Sequence, residues 1–281
     1  CGVLHSLERL DAADRIAAES LLLRLLDSEA LYTVVGGLKP ASDGFWQTSF
    51  AATVETTAEI EQVRRILRAI DDSETLTGGV LIFERVHEGK RTASAFVVHR
   101  GRLSETIARH RSFFATIGIA PETTPQAVFE RIDRAASGAR WRGFGLIFGY
   151  PEHAVEFFVA AGAEQERTGE FVEREFRSIP TFAGERRFVY AVPVGHVDRP
   201  EDERLRILAG SILDAYRLER GRRIDSTTER GAIALWTSLV ARDNGIEAGR
   251  CEEWRQSCRR HEARRGRFGI RRVAEIVRHV R

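Results

Sequence analysis

The sequence predicts an α+β fold, in which an antiparallel or mixed sheet is flanked by helices and followed by a helical C-terminal segment. Two pairs of strand-like runs are close enough to form hairpins, and runs with apolar residues at helical spacing lie between and after them. Hairpins mixed with helices favour this class over a doubly wound parallel sheet. The chain has 281 residues and is 43% hydrophobic, which is enough for one large domain or two small ones.

Three regions are predicted along the chain: a tether over residues 1–10, an α+β domain over 11–221 and a helical, Arg-rich segment over 222–281. Residues 250–281 hold 11 Arg and four Glu, and an apolar stripe runs through the last of them. This pattern is typical of a basic amphipathic helix. The segment either packs on its own domain or contacts anionic lipid. Nucleic acid is not expected as a partner, because no recognised binding motif accompanies the charge.

In the first half of the chain, the predicted elements alternate between helices and strands. The first is a helix over 12–27 capped by Asp11, and strands over 31–35 and 45–54 follow around a loop over 36–44. The capping-box pair Thr56 and Glu59 then opens a second helix. A hairpin of strands 80–86 and 92–99 comes next, followed by helices near 103–116 and after Thr124. The first helix is expected to direct Ile16, Leu22 and Leu26 towards the core.

The stretch from Gly143 to Gly162 is predicted as a strand, a turn and a helix. Residues 144–148 form a short apolar run, Pro151 suits a first helical position, and Gly162 is the expected helix end. A second hairpin over 171–176 and 187–194 follows, and then a helix starting at Pro200 and another after residue 228. Where a strand end leads into a helix N-terminus, unpaired N–H groups converge and often bind anions.

The loop after the first predicted strand is one candidate ligand site. Its paired glycines, including Gly37, allow backbone N–H groups to turn towards an anion, and Lys39 supplies a positive charge. The loop is not a phosphate-binding P-loop, because Lys39 lies only three residues after Gly36 and is followed by Pro40. An ordinary connection between two strands is the alternative.

Two histidines are the candidate catalytic residues. His153 lies on the first predicted turn after Tyr150, on the same helical face as Glu156, so it can serve as an acid, a base or an anion ligand. His99 lies at a strand end, a position that often lines a pocket. The alternatives are an exposed His153 beside carboxylates that complement the helix dipole, and a purely structural His99.

The chain as given opens with Cys1, which suggests three interpretations. A bacterial lipoprotein carries a lipid on such a cysteine after its signal peptide is removed. The run Cys1-Gly2-Val3 is also similar to the opening of class II glutamine amidotransferases, which implies an N-terminal nucleophile; the resemblance covers these three residues only, because a polar, helix-like stretch follows. The third interpretation is an arbitrary chain boundary.

These observations predict a bacterial envelope lipoprotein, anchored through Cys1 on the periplasmic or outer face, with a soluble binding or interaction domain. The alternative is a hydrolase or transferase acting on an anionic small molecule, with Lys39, His99 and His153 in one site. A small anion is therefore a possible ligand. No cofactor and no metal are expected, since the eight histidines and three cysteines form no known metal-binding motif.

Overall fold

A computed structural model of the chain describes residues 6–72, 74–184, 188–224 and 231–246, with side chains up to residue 240. Within these residues, a three-stranded antiparallel sheet and a separate two-stranded hairpin lie among helices, which confirms the predicted α+β class. The chain divides into two compact units, Cys1–Val240 and Ala241–Arg281, and the fold described below belongs to the first, apart from residues 241–246. Cys1 and the Arg-rich stretch over 250–281 lie outside the described residues.

The elements follow in this order: α1 (Ala12–Asp27), α2 (Leu31–Val34), β1 (Ala41–Ala51), α3 (Ala58–Ala69), β2 (Leu76–Ile82), β3 (Lys90–His99), α4 (Arg100–Arg109), α5 (Arg111–Thr116), α6 (Pro125–Arg134), α7 (Ser137–Ile147), α8 (Glu152–Thr168), β4 (Arg174–Ile179), β5 (Phe188–Pro193), α9 (Pro200–Arg223) and α10 (Gly231–Ile246). No helix of the described residues has the length and apolar character needed to cross a membrane.

Helices cover both faces of the three-stranded sheet, whose strand order is β1-β3-β2. Alternate residues of a strand point to opposite faces. Ala95 and Val97 of β3 join the larger core with α1 and α3, whereas Phe96 and Val98 join a smaller core with α4, α6 and α7. The central strand is therefore buried on both sides, and β1 and β2 form the two edges of this sheet.

The first predicted hairpin is confirmed. Strands β2 and β3 are antiparallel, with Leu76 opposite His99 and Ile82 opposite Ala93. Glu88 and Gly89 both have positive φ, at 48° and 71°, which is the backbone of a type I′ turn and matches the twist of the strands. Strand β2 lies four residues earlier than predicted. The second hairpin, β4 with β5, and the start of α9 at Pro200 also agree with the sequence.

Two predicted strands are helical in the structure. Residues 144–148 belong mostly to α7, where Gly143 and Gly145 allow close helix packing: a Cβ atom at these positions would lie 3.0 Å from Ile132 and 2.9 Å from Val155. Residues 31–34 form the single turn α2, and all four side chains are buried. A short, continuous apolar run has no hydrophobic period from which a helix and a strand can be distinguished.

Smaller differences concern the ends and faces of helices. Asp11 caps α1 as predicted, through a 2.8 Å hydrogen bond from Asp14 N, but Ile16 is 74% exposed rather than buried. The cap of α3 is Thr57 rather than Thr56. Helix α8 continues past Gly162 and ends at Gly169, whose φ of 78° is the left-handed conformation common after a helix. At the start of the chain, Leu7 is fully buried, so part of the predicted tether contributes to the core.

Candidate functional site

The structure places Lys39 inside the protein. Its side chain is fully buried, and Nζ forms a 2.7 Å ion pair with Glu29. Three aromatic rings surround the ammonium, with centroids 4.2 Å (Phe188), 5.7 Å (Tyr150) and 5.8 Å (Phe148) from Nζ. Burial lowers the pKa of Lys39, while the charge of Glu29 opposes this change. Lys39 and Tyr150 therefore lie together, in a closed contact in which Glu29 already neutralises the charge of the ammonium.

Gly37 and His99 form a second pair. A Cβ atom on Gly37 would lie 2.8 Å from the His99 ring, so only glycine allows this loop to pass so close. His99 caps α4, accepting a 3.4 Å hydrogen bond from Arg102 N at Nδ1, and its own N–H bonds to the carbonyl of Pro40. These contacts give His99 a structural role in joining the loop to the sheet.

His153 lies in a third environment. It is 8% exposed, so the alternative of an exposed His153 is wrong. Glu156, its predicted neighbour on the helix, instead lies 3.8 Å from Arg142. The contacts of His153 are with residues near the start of α9. The contacts of Lys39, His99 and His153 therefore involve three different sets of residues.

The cluster around His153 was not predicted. Its ring stacks on that of His196, with centroids 4.8 Å apart and an interplanar angle of 13°. Asp202 faces both rings: Oδ1 lies 3.5 Å from His153 Nε2, and Oδ2 lies 3.2 Å from His196 Nε2. One ligand atom from each of the three residues lies within 4.8 Å of the other two. We call these residues the His–His–Asp cluster.

Neighbouring residues hold this cluster in place. Glu201 Oε1 lies 2.5 Å from His153 Nδ1, which directs Nε2 towards Asp202. The hydroxyl of Tyr190 donates to Asp202 Oδ1, and the backbone N–H of Arg199 donates to Oδ2, at 2.7 and 2.8 Å. Burial of Asp202 opposes its ionisation, but these hydrogen bonds and the nearby histidines outweigh burial and keep its pKa below the usual range.

Local sequence features explain how each member is positioned. Pro151 precedes α8 and sets its entry, so His153 lies on the first turn. Asp202 is the third residue of α9, where its carboxylate accepts a hydrogen bond from the backbone N–H of Arg199, the residue before the helix. His196 lies in the turn between β5 and α9, just after Gly195, whose φ is 77°. The acidic first turn of α9 is visible in the sequence, but its approach to His153 depends on tertiary packing.

One buried nitrogen of the cluster has no hydrogen-bond partner. His153 Nε2 is buried and makes no hydrogen bond, and Asp202 Oδ1 lies 3.5 Å from it. Buried polar atoms are nearly always paired, so such an atom requires an explanation. Two imidazole nitrogens and one carboxylate are a common ligand set for zinc-like ions, with bonds of about 2.0–2.2 Å. A carboxylate on the other ring nitrogen, as Glu201 provides, is the usual outer partner of a metal-bound histidine.

No protein-family model, curated protein or solved structure was found to match this chain.

Proposed function

We propose that this protein binds a divalent transition-metal ion through the His–His–Asp cluster. The observation that carries the proposal is the buried, unbonded Nε2 of His153, directed at the Asp202 carboxylate within reach of His196. Imidazole and carboxylate ligands together suit Zn²⁺, Co²⁺ or Ni²⁺, whereas Mg²⁺ and Ca²⁺ prefer sites made of oxygen alone.

The position of the cluster favours an ion that stabilises the fold. Its ligands come from the start of α8 and from the connection between β5 and α9, so one ion would join two parts of the chain that are distant in sequence. The side chains of the three ligands are only 0–8% exposed, which leaves little room for a substrate. A ligand that binds only the folded state stabilises it, by about 2.7 kcal/mol at a hundredfold excess over Kd.

The test is metal titration of the chelator-treated protein. We expect one Zn²⁺ or Co²⁺ per chain to bind with an affinity that depends on the cluster, and Zn²⁺ to raise the melting temperature. His153→Ala and His196→Ala should each abolish this binding, and Glu201→Gln should weaken it about 10–100-fold, since an outer partner tunes the ligand. His87→Ala is the matched control, because His87 is exposed and lies outside the cluster.

Binding that is equally strong in His153→Ala and in the unmodified protein would refute the proposal, even if the variant were less stable. So would the absence of binding by a folded, chelator-treated protein. In either case the cluster would be a hydrogen-bonded cap of α9 and nothing more.

The broader predictions from the sequence stand beside this proposal. The lipid anchor, the envelope location and the contact of the C-terminal segment with anionic lipid concern residues outside the described ranges, and they stay predictions. A hydrolase or transferase for an anionic small molecule also stays a prediction. Any anion at Lys39 would have to compete with Glu29, which already pairs with the ammonium.

A further inference from the structure

Strand β2 has one unpaired edge, and the hydrogen bonds define which residues face it. Beyond the end of β2, Phe83 N donates to Thr92 O of β3 at 2.9 Å. In an antiparallel pair, residues alternate between bonding the partner strand and pointing away from it. Val80, Ile82 and Glu84 therefore direct their backbone N–H and C=O groups away from β3.

Two side chains of helix α6 bond to this edge, one on each side of Ile82. Gln126 Nε2 donates to Val80 O at 3.3 Å, and Asp133 Oδ2 accepts from Glu84 N at 2.8 Å. These side chains take the bonds that a neighbouring strand would make. Ile82 lies between them, and its outward N–H and C=O have no partner among the hydrogen bonds of the described chain. One residue's pair of backbone groups is thus left for an added strand.

A polar cavity of about 180 Å³ lies at this position. It is lined by Ile82 and, among others, by Arg64 of α3, Arg91 of β3 and Glu130 of α6. Its volume suits one or two residues of an extended chain. The helices α3 and α6 pack on opposite faces of the sheet, so they form the two walls of a cleft whose floor is the edge of β2.

The three arginines that line this cavity have different hydrogen-bond and ion-pair partners. Arg64 pairs with Glu61, and Arg134 pairs with Glu84. Arg91 donates from Nε to the carbonyl of Phe83 at 3.0 Å, and no carboxylate in the part of the chain that the structure describes pairs with it. A guanidinium with free N–H groups binds carboxylates well, because its planar donors match two carboxylate oxygens.

We infer that the cavity binds the carboxyl-terminal end of an extended peptide. The peptide main chain pairs with Ile82 as an added strand, and its terminal carboxylate lies against Arg91. Strand addition to an exposed sheet edge and capture of a terminal carboxylate are both common modes of peptide recognition. This binding needs no metal and lies on elements other than those of the His–His–Asp cluster.

The probe is acetyl-Gly-Val-Thr-Val with a free carboxylate, titrated into the ¹⁵N-labelled full chain and followed by amide chemical shifts. We expect saturable binding that perturbs residues of β2 and α6. The amidated peptide, and the free peptide with Arg91→Gln protein, should each bind at least about tenfold more weakly, since both lose a charge-assisted hydrogen bond. Arg85→Gln is the matched control, because Arg85 is exposed and nearby but does not line the cavity.

A second pair of variants tests the main-chain contact. Ile82→Pro removes only the outward N–H and leaves the bonds between β2 and β3 in place, whereas Ile82→Ala keeps that N–H. We expect Ile82→Pro to abolish binding and Ile82→Ala to retain it. If Ile82→Pro fails to fold, a peptide N-methylated at alternate residues tests the other bond of the pair, which the peptide N–H donates to the carbonyl of Ile82.

The proposal is overturned if the folded protein shows no saturable binding up to about 1 mM peptide. It is also overturned if amidation and Arg91→Gln have no effect. Binding that depends on Arg91 but is unaffected by N-methylation or by Ile82→Pro would identify a simple anion site and would overturn the assignment to a peptide.

Discussion

The two partners of the buried ion pair, Lys39 and Glu29, should differ in how much stability is lost when each is replaced. Lys39 is fully buried, whereas the side chain of Glu29 is 17% exposed and reaches water. Glu29→Gln removes the carboxylate and leaves the ammonium inside. Lys39→Met removes the ammonium and leaves a carboxylate that solvent can hydrate. We therefore expect Glu29→Gln to destabilise the protein more than Lys39→Met.

The magnitudes follow from the cost of an unpaired charge. Removing one partner of a buried pair costs about 3–5 kcal/mol, and the cost is reduced here because the Gln amide oxygen can still accept a hydrogen bond. Deprotonation sets an upper limit: neutralising a lysine of ordinary pKa 10.5 at pH 7 costs about 5 kcal/mol, at 1.36 kcal/mol per unit. We expect a loss of about 2–4 kcal/mol for Glu29→Gln. For Lys39→Met we expect a change within about 1 kcal/mol, because methionine fills a similar volume against the rings.

Urea unfolding at pH 7 measures both variants, and the double variant is expected to resemble Lys39→Met. Glu105→Gln provides the control, since its pair with Arg102 is exposed and should contribute less than about 0.5 kcal/mol. A larger loss for Lys39→Met than for Glu29→Gln would refute the reasoning, because burial of the ammonium would then not be the dominant cost.

Three further predictions concern packing and pH. Gly162→Ala should cost about 1–3 kcal/mol in urea unfolding, since the new Cβ would lie 2.3 Å from the Trp141 ring; an unchanged stability would contradict this packing. Burial raises the pKa of Asp43 to about 6, above its value in the unfolded chain. The free energy of unfolding should therefore fall as pH rises from 4 to 6, and melting temperatures of Asp43→Asn should lack this decrease. A hydrogen bond from Arg65 lowers the pKa of Asp14, so its contribution is present above pH 4 and is lost on acidification; Asp14→Asn should lower the melting temperature at pH 7 but not at pH 2.

The parts of the fold that the sequence predicted well are those governed by local rules. The turn at Glu88 and Gly89 requires two residues with positive φ, and the caps of α1 and α6 require a side-chain acceptor before an apolar run. Such signals extend over a few residues and do not depend on distant contacts. They located the first hairpin and most helices, with errors of a few residues at the ends.

Helix α7 shows why other parts could not be predicted. Its run of Phe, Leu and Ile has the composition of a strand, and two glycines weaken its helix propensity. The glycines instead allow close approach of Ile132 from α6 and Val155 from α8. The free energy of this packing comes from contacts with neighbouring helices, and it overrides the local preference of the segment. These contacts cannot be recognised from the residues of α7 and its immediate sequence neighbours.

Asp202 has one role that depends on its neighbours in the sequence and another that depends on distant contacts. Its carboxylate caps α9 by accepting a hydrogen bond from the backbone N–H of Arg199, three positions away, and the acidic start of α9 is visible in the sequence. Its contact with His153 joins positions 49 residues apart and depends on how α8, β5 and α9 pack. Capping alone does not require the buried Nε2 of His153 to face the same carboxylate. Asp202→Asn therefore separates the two roles: an amide oxygen can still accept from the Arg199 N–H, so α9 should remain capped, whereas loss of the negative charge should weaken binding of Zn²⁺.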